Sequence, residues 1–362
     1  MPKKKFNKPI FLGKWNDSFN YESKKLISYG EMKDITVSDD ICIPERVLDM
    51  RKGAIIHKKV RQYTQSIIKP GVKIYDICES IDKKIIELIG ENTFNKGIGF
   101  PVGLSINDCA AHDSAIPNDD RVLTSNDVVK IDFGTHYNGN IIDSAFTVAF
   151  KPKYNNLLKA TYDATWTGIK MAGPGALIDD ISEAIQETIE SYEVELDGKI
   201  HPIKAIINLG GHTIEPYKIH AGKLLLGGNY HKTNKRMESG ECWAIETFAT
   251  TGNSNIVKNS ADPISHYMLE NKFAKSDLKL KSSRAVLNYA LKDRKTLPFC
   301  TRWLDQSIDK NYKMGIKDLV NKKIIIPYPP LVSEKNSFTS QFEHTIYLHD
   351  FGKEILSYGQ DY

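Results

Sequence analysis

Cysteine is scarce in this chain, with five in 362 residues (Cys42, Cys78, Cys109, Cys242 and Cys300) and no two of them in a CxxC pair. That excludes a thiolate zinc module and a disulfide scaffold, and points to a reducing compartment. Long apolar runs are missing too. No window approaches the ~18 residues that a membrane-spanning helix needs, so no membrane association is expected. The basic opening Met1-Pro-Lys-Lys-Lys leads into no apolar stretch of signal-peptide length, so the expected location is cytoplasmic. Charge of one sign is not in excess: Lys and Arg number 49 against 45 Asp and Glu. A concentrated basic face is therefore not expected, and DNA is not an expected partner. Short-period repeats and low-complexity tracts are also absent.

What remains is ordinary globular material, 41% apolar and 26% charged. Residues 1–44 are polar and lysine-rich and read as a short extension. From Pro44 onward Val47, Met50, Ala54, Ile55 and Val60 recur at helical steps until Pro70-Gly71. Ile74, Ile77, Ile81, Ile85 and Leu88 mark a second amphipathic helix, closed by Gly90. A further helix pair is expected over 157–171 and 178–191, divided by Pro174-Gly175. Strands are expected at 128–133, 141–150, 242–250 and 341–348. Helix pairs alternating with antiparallel strands suggest an α+β fold over 45–362. Residues from about 260 to 328 are lysine-rich and helical in texture, and read as a helical insertion between two acid-bearing strands.

The informative feature is a set of acids inside apolar strand sequence. Asp132 lies in Val128-Val-Lys-Ile-Asp132-Phe, and Asp143 in Ile141-Ile-Asp143-Ser-Ala-Phe. Asp is depleted in strands, and burying a carboxylate is costly without compensation. Asn138-Gly139 is a two-residue hairpin signal. With those two as the loop, Tyr137 pairs with Asn140 and Asp132 with Ala145, so Asp143 falls on the face of Asp132. Diagonal neighbours about 7–8 Å apart can share one cation. Glu246 sits on the apolar face of Ala244 and Phe248, Glu343 lies mid-strand, and His212 follows a glycine pair. Each alone reads as an ordinary solvated or structural residue. Together, two Asp, two Glu and one His make an oxygen-rich set suited to a pair of first-row divalent ions.

These residues lie in an ordered series that resembles the methionine aminopeptidase type 2 family. The series comprises Phe100-Pro-Val-Gly-Leu-Ser-Ile-Asn-Asp-Cys-Ala-Ala-His112, Lys130-Ile-Asp132-Phe-Gly-Thr-His136 and Ile141-Ile-Asp143-Ser-Ala-Phe. It continues through Gly211-His212-Thr-Ile, Ile219-His220-Ala-Gly-Lys223, Ala244-Ile-Glu246-Thr-Phe, Arg302-Trp-Leu-Asp305, Tyr328-Pro-Pro-Leu331 and Gln341-Phe-Glu343-His, and ends at Asp361-Tyr362. The resemblance implies the pita-bread α+β fold, two pseudo-symmetric halves cupping a dinuclear metal centre. It implies Asp132, Asp143, His212, Glu246 and Glu343 as ligands of two divalent ions (Co, Mn, Fe or Zn). The insertion marks the type 2 branch. One departure is Gly210, where the family more often has Asn.

The implied activity is hydrolytic removal of the initiator methionine from nascent chains with a small penultimate residue, by metal-activated water. Glu246 is then ligand, base and proton shuttle. His112 and His220 are the implied non-ligand catalytic histidines, His112 also being the position that fumagillin-type epoxides alkylate. Phe100, Ile219, His266 and Tyr328 are implied to line the methionine pocket with them. The expected partners are nascent polypeptide N-termini, with transient ribosome association, and the chain is expected to be a monomer. Two rivals share the fold: a binding scaffold without activity, which would have lost ligands, and a proline-specific peptidase.

Overall fold

The computed structural model describes residues 25–30, 32–36, 41–270, 278–308 and 311–362. Helix α1 (Glu45–Ile67) buries Val47, Met50, Ala54 and Val60, as its spacing dictates, and ends before Pro70. Helix α2 (Ile74–Ile89) buries Ile74, Ile77, Ile81 and Ile85 and ends at Gly90, whose φ of 88° is left-handed. Helices α3 (Asn155–Met171) and α4 (Ile178–Glu190) form the second pair. Among the described residues no helix is long and apolar enough to cross a membrane.

Each helix pair backs one sheet. The first has four strands: Val128–Tyr137 lies between Lys96–Ile98 and Gly103–Ile106 on one edge and Asn140–Ala149 on the other. The second runs Lys25–Ile27, Lys353–Ile355, Thr339–Leu348, Cys242–Thr250, Gly210–Ile214, Leu224–Leu226, with Lys204–Ala205 also paired to Cys242–Thr250. Helix α1 packs on the hairpin of the first sheet, and α3 packs on Cys242–Thr250 and Thr339–Leu348 of the second. The two halves thus repeat one plan.

Where the halves meet, side-chain hydroxyls replace a backbone ladder. Asp143 N donates to Thr345 Oγ1 at 2.8 Å, and that hydroxyl donates to Asp143 O at 2.5 Å. Ser144 Oγ donates to Glu343 O, and Thr147 Oγ1 to Gln341 O, each at 2.7 Å. Ser and Thr suit this seam because one hydroxyl both donates and accepts.

Two boundaries differ from the sequence expectation. Lys25–Ile27, assigned above to the extension, adds the edge strand of the second sheet and pairs with Lys353–Ile355. Ile27 is fully buried there, so packing overrides the weak local pattern. The first 24 residues of that extension lie outside the described residues. The segment 260–328 holds α5 (Lys281–Tyr289), α6 (Thr301–Ser307) and α7 (Tyr312–Asn321). It also holds a small sheet in which His266–Leu269 pairs with Phe299–Cys300 and Ile325–Tyr328, so the insertion is helical only in part.

Candidate metal centre

The hairpin forms in the predicted register. Tyr137 pairs with Asn140, Asp132 with Ala145, and Gly134 with Asp143. Asn138 and Gly139 carry positive φ values of 50° and 75°, the left-handed pair that a tight two-residue turn requires. Gly134 serves a different purpose: a Cβ there would lie 2.3 Å from the Phe100 ring. Its bare backbone lets Phe100 lie against the hairpin beside Asp143.

The second sheet supplies the remaining acids on one face. Glu246 stands opposite Glu343, and Ala244 opposite both Thr345 and His212. Because faces alternate with period two, His212, Glu246 and Glu343 all project the same way. The two sheets then bring five residues together. Ligand atoms of Asp143, His212 and Glu343 lie within 4.8 Å of one another. His212 Nε2 is 3.6 Å from Asp143 Oδ2 and 3.8 Å from Glu246 Oε1. Gln341 joins the sheets at this point: its Nε2 donates to Asp132 Oδ2 and to Glu246 Oε2, each at 3.1 Å.

The electrostatics are those of an anionic cluster that no Lys or Arg among the described residues pairs with. Burial raises Asp132 to about 6, against the pull of Gln341's hydrogen bond. Asp143, Glu246 and Glu343 are driven well above the carboxylate range, first by burial and then by neighbouring carboxylates: Asp132 for Asp143, and Asp143 foremost for the two glutamates. Asp132 Oδ1 and both carboxylate oxygens of Glu343 are buried and accept no hydrogen bond from the described residues. Orphaned anionic oxygens of this kind are what a divalent cation satisfies. Oxygen donors with one imidazole, and no thiolate, fit hard-to-borderline ions.

One cavity of about 320 Å³ contains the whole set. All eleven residues singled out from sequence line it: Asp132, Asp143, His212, Glu246, Glu343, Phe100, His112, Ile219, His220, His266 and Tyr328. His112 has a φ of 65°, a strained value for a non-glycine residue, and its ring meets Tyr328 edge-on at 5.5 Å. His220 opens to the cavity and meets the His212 ring edge-on at 4.5 Å. Desolvation lowers His112 to about 3, and His220 and His266 to about 4, so all three are neutral imidazoles near pH 7. His266 is opposite Tyr328 in the small sheet, which brings the insertion into the cavity wall.

Sequence reasoning missed Gln341 as a functional residue. Its signal was its place two positions before Glu343 on the same strand face. The loss of a polar side chain at Gly210 has a steric reason: a Cβ there would lie 2.3 Å from Leu225 O. The neighbouring strand approaches too closely for any side chain.

Comparison with known proteins agrees with this geometry. Residues 49–273 match the model of metallopeptidase family M24. Methionine aminopeptidase 2 of Schizosaccharomyces pombe is 44% identical over 317 residues, covering 87% of this chain and 73% of that one. Among solved structures, a thermophilic Arx1 superposes with a TM-score of 0.75 at 21% identity, covering 87% of this chain and 91% of that one. Methionine aminopeptidase from Thermotoga maritima gives a TM-score of 0.58 at 19% identity, covering 88% of this chain and 98% of that one. At those identities the structural likeness speaks for the pita-bread fold alone, and the functional assignment rests on the closer sequence relatives and the site. The chain belongs to metallopeptidase family M24, in its methionine aminopeptidase 2 branch, and its activity is metal-dependent removal of an N-terminal methionine.

Proposed function

We propose that Asp132, Asp143, His212, Glu246 and Glu343 hold two divalent ions of the Mn, Fe, Co or Zn kind. Asp132 would serve one ion, Asp143 and Glu343 both, and His212 with Glu246 the other. The observation that carries this reading is the convergence of four carboxylates and one imidazole on one cavity, where Asp132 Oδ1 and both Glu343 oxygens find no hydrogen-bond partner among the described residues. Two such ions supply Lewis acidity, bringing the pKa of water toward about 7 and polarising a carbonyl.

The protein's own residues do the rest. Glu246 takes the proton of the attacking water and passes it to the leaving amine. His112 and His220, kept neutral by desolvation, each donate one N–H, to the scissile amide and to the developing oxyanion. His112 lines the cavity, where its imidazole would meet the substrate or be alkylated by a fumagillin-type epoxide. Phe100, Ile219, His266 and Tyr328 form the methionine slot. A penultimate residue larger than Val or Thr clashes beyond it.

The substrates are nascent polypeptide N-termini, met by a cytoplasmic monomer with transient ribosome contact. The five free cysteines are in keeping with a reducing compartment. In this reading the chain consists of a short extension to residue 44, whose Lys25–Ile27 strand joins the second sheet, and a catalytic domain from 45, with the 260–328 insertion forming one cavity wall.

The test is release of methionine from Met-Ala-Ser by chelated protein, before and after adding Mn²⁺, Co²⁺, Fe²⁺ or Zn²⁺, with Asp143→Asn as control. Metal-restored release that the control lacks is expected. A folded protein inactive with every metal would overturn the ligand assignment.

A further inference from the structure

Arg294 ends the π-helical turn Ala290–Arg294 that follows α5, and it is only 2% exposed. A buried guanidinium is normally paired with a carboxylate. Among the described residues, the hydrogen bonds of Arg294 all go to main-chain carbonyls instead. Nε donates to Pro298 O at 3.0 Å, and Nη2 to Ile98 O at 2.9 Å and Gly99 O at 3.1 Å. The guanidinium also sits 4.9 Å from the centre of the Trp303 ring, a cation–π contact that offsets part of its desolvation.

These carbonyls are not scattered. Ile98 and Gly99 lead directly into Phe100 and Pro101, and Phe100, Pro101 and Pro298 all line the cavity. One planar fork therefore ties the wall built by the first half of the chain to the wall built by the insertion. Gly99 N donates to Gly134 O at 2.8 Å, so the anchored segment is fixed from its other side as well. A lysine would present its donors from a single atom, without the separate Nε and Nη2 that here reach two segments of chain.

We propose that Arg294 is a positioning residue for specificity: it sets the spacing of the Phe100 and Pro298 walls and thereby which N-terminal side chain fits between them. The inference rests on the reading of Phe100 and its neighbours as the methionine slot. A slot whose walls are held at fixed spacing rejects a branched side chain by clash, and a loosened one admits it. One methylene's worth of misfit is typically about tenfold or more in kcat/KM.

The experiment compares Met-Ala-Ser with Leu-Ala-Ser for the wild type, Arg294→Met, Arg294→Lys, Phe100→Ala and Arg302→Lys, each loaded with Mn²⁺. Arg302 is the structural control: it is fully buried in the same segment and pairs with Asp82 at 2.9 Å, but it does not line the cavity. Both Arg294 variants are expected to lower the Met-over-Leu ratio of kcat/KM by about tenfold, mainly through KM for the methionine substrate. Their Mn²⁺ affinity by calorimetry should stay within about twofold of wild type, and Arg302→Lys should lower Tm while keeping the ratio. A folded, Mn²⁺-binding Arg294→Met with the wild-type ratio overturns the proposal. So does an equal change of ratio in Arg302→Lys. If Arg294→Met does not fold, Arg294→Lys decides by the same criterion. A Phe100→Ala ratio equal to wild type would sink the slot reading itself; a changed one, with unchanged Arg294 variants, sinks only the role of Arg294.

Discussion

Glu246 and Glu343 are direct partners across the antiparallel pair of Cys242–Thr250 and Thr339–Leu348. Like charges opposite one another destabilise a sheet by up to about 1 kcal/mol even at a surface. Here both are buried; beyond burial, Asp143 and Asp132 raise both, and Glu246 also raises Glu343. Glu343→Gln should therefore stabilise the chelated protein while costing at least about 100-fold in metal affinity and abolishing methionine release. Calorimetric titration with Mn²⁺ beside thermal unfolding in chelator checks both signs. A variant less stable than wild type in chelator would mean that the Glu343 carboxylate is held by a stabilising partner within the protein.

Gln341 bridges Asp132 and Glu246, two of the proposed ligands. Its loss should lower metal affinity by roughly 10–100-fold, the usual effect of removing an orienting partner. Gln341→Ala should regain activity at high Mn²⁺, whereas Asp143→Asn should not. Activity measured against Mn²⁺ concentration separates the two.

His112 is a neutral imidazole in the cavity, with one buried ring nitrogen that has no partner among the described residues. A fumagillin-type epoxide should alkylate it once per chain. Peptide mass mapping would show a single adduct on the peptide containing His112, absent from His112→Asn.

Two buried histidines outside the proposed ligand set weigh on acid stability. Burial holds His57 and His136 near 3, well below the ordinary 6.5 of the unfolded chain. In that window each of these histidines binds more protons in the unfolded state, so its contribution to stability falls as pH drops from about 6.5 toward 3, by up to about 1.4 kcal/mol per pH unit. His57→Phe should flatten the acid limb of a Tm-against-pH profile measured in chelator, where metal loss adds nothing. An unchanged slope would mean that His57 titrates normally in the folded protein.

Arg61 and Asp361 form a buried bidentate ion pair, with Nε–Oδ2 at 2.5 Å and Nη2–Oδ1 at 2.6 Å. Removing one partner of such a pair leaves an uncompensated charge and typically costs about 3–5 kcal/mol. Asp361→Ala should lower stability to urea by that order. Arg61 also lies over the Tyr362 ring at 4.3 Å, and that ring's hydroxyl contacts Ser144 Oγ at 2.5 Å. The damage should therefore reach the strand that carries Asp143.

The parts of this fold that are legible in the sequence are those in which local code and burial agree. The Asn138-Gly139 turn dictates the register of its hairpin, and that register alone suffices to put Asp132 and Asp143 on one face. The isoleucines of α2 and the stop at Gly90 are equally plain. Features made by pieces distant in the chain are not legible. Gln341 acquires its role only because another sheet sets Asp132 against it. The small sheet of the insertion is built from strands of two to four residues drawn from 266, 299 and 325, too short for alternation to register. Lys25–Ile27 has a single fully buried residue, Ile27, to reveal that it is a strand.

The hydroxyl seam also has a consequence for how the enzyme comes into being. Asp132 and Asp143 are on one side of it and His212, Glu246 and Glu343 on the other, with Glu343, on Thr339–Leu348, the last of the five in chain order. The first half carries only a fraction of the proposed donor set. The protein is thus born without activity. It can begin to process the N-termini of other chains only after Thr339–Leu348 has emerged and closed against Asn140–Ala149, so a prematurely terminated copy is a silent one.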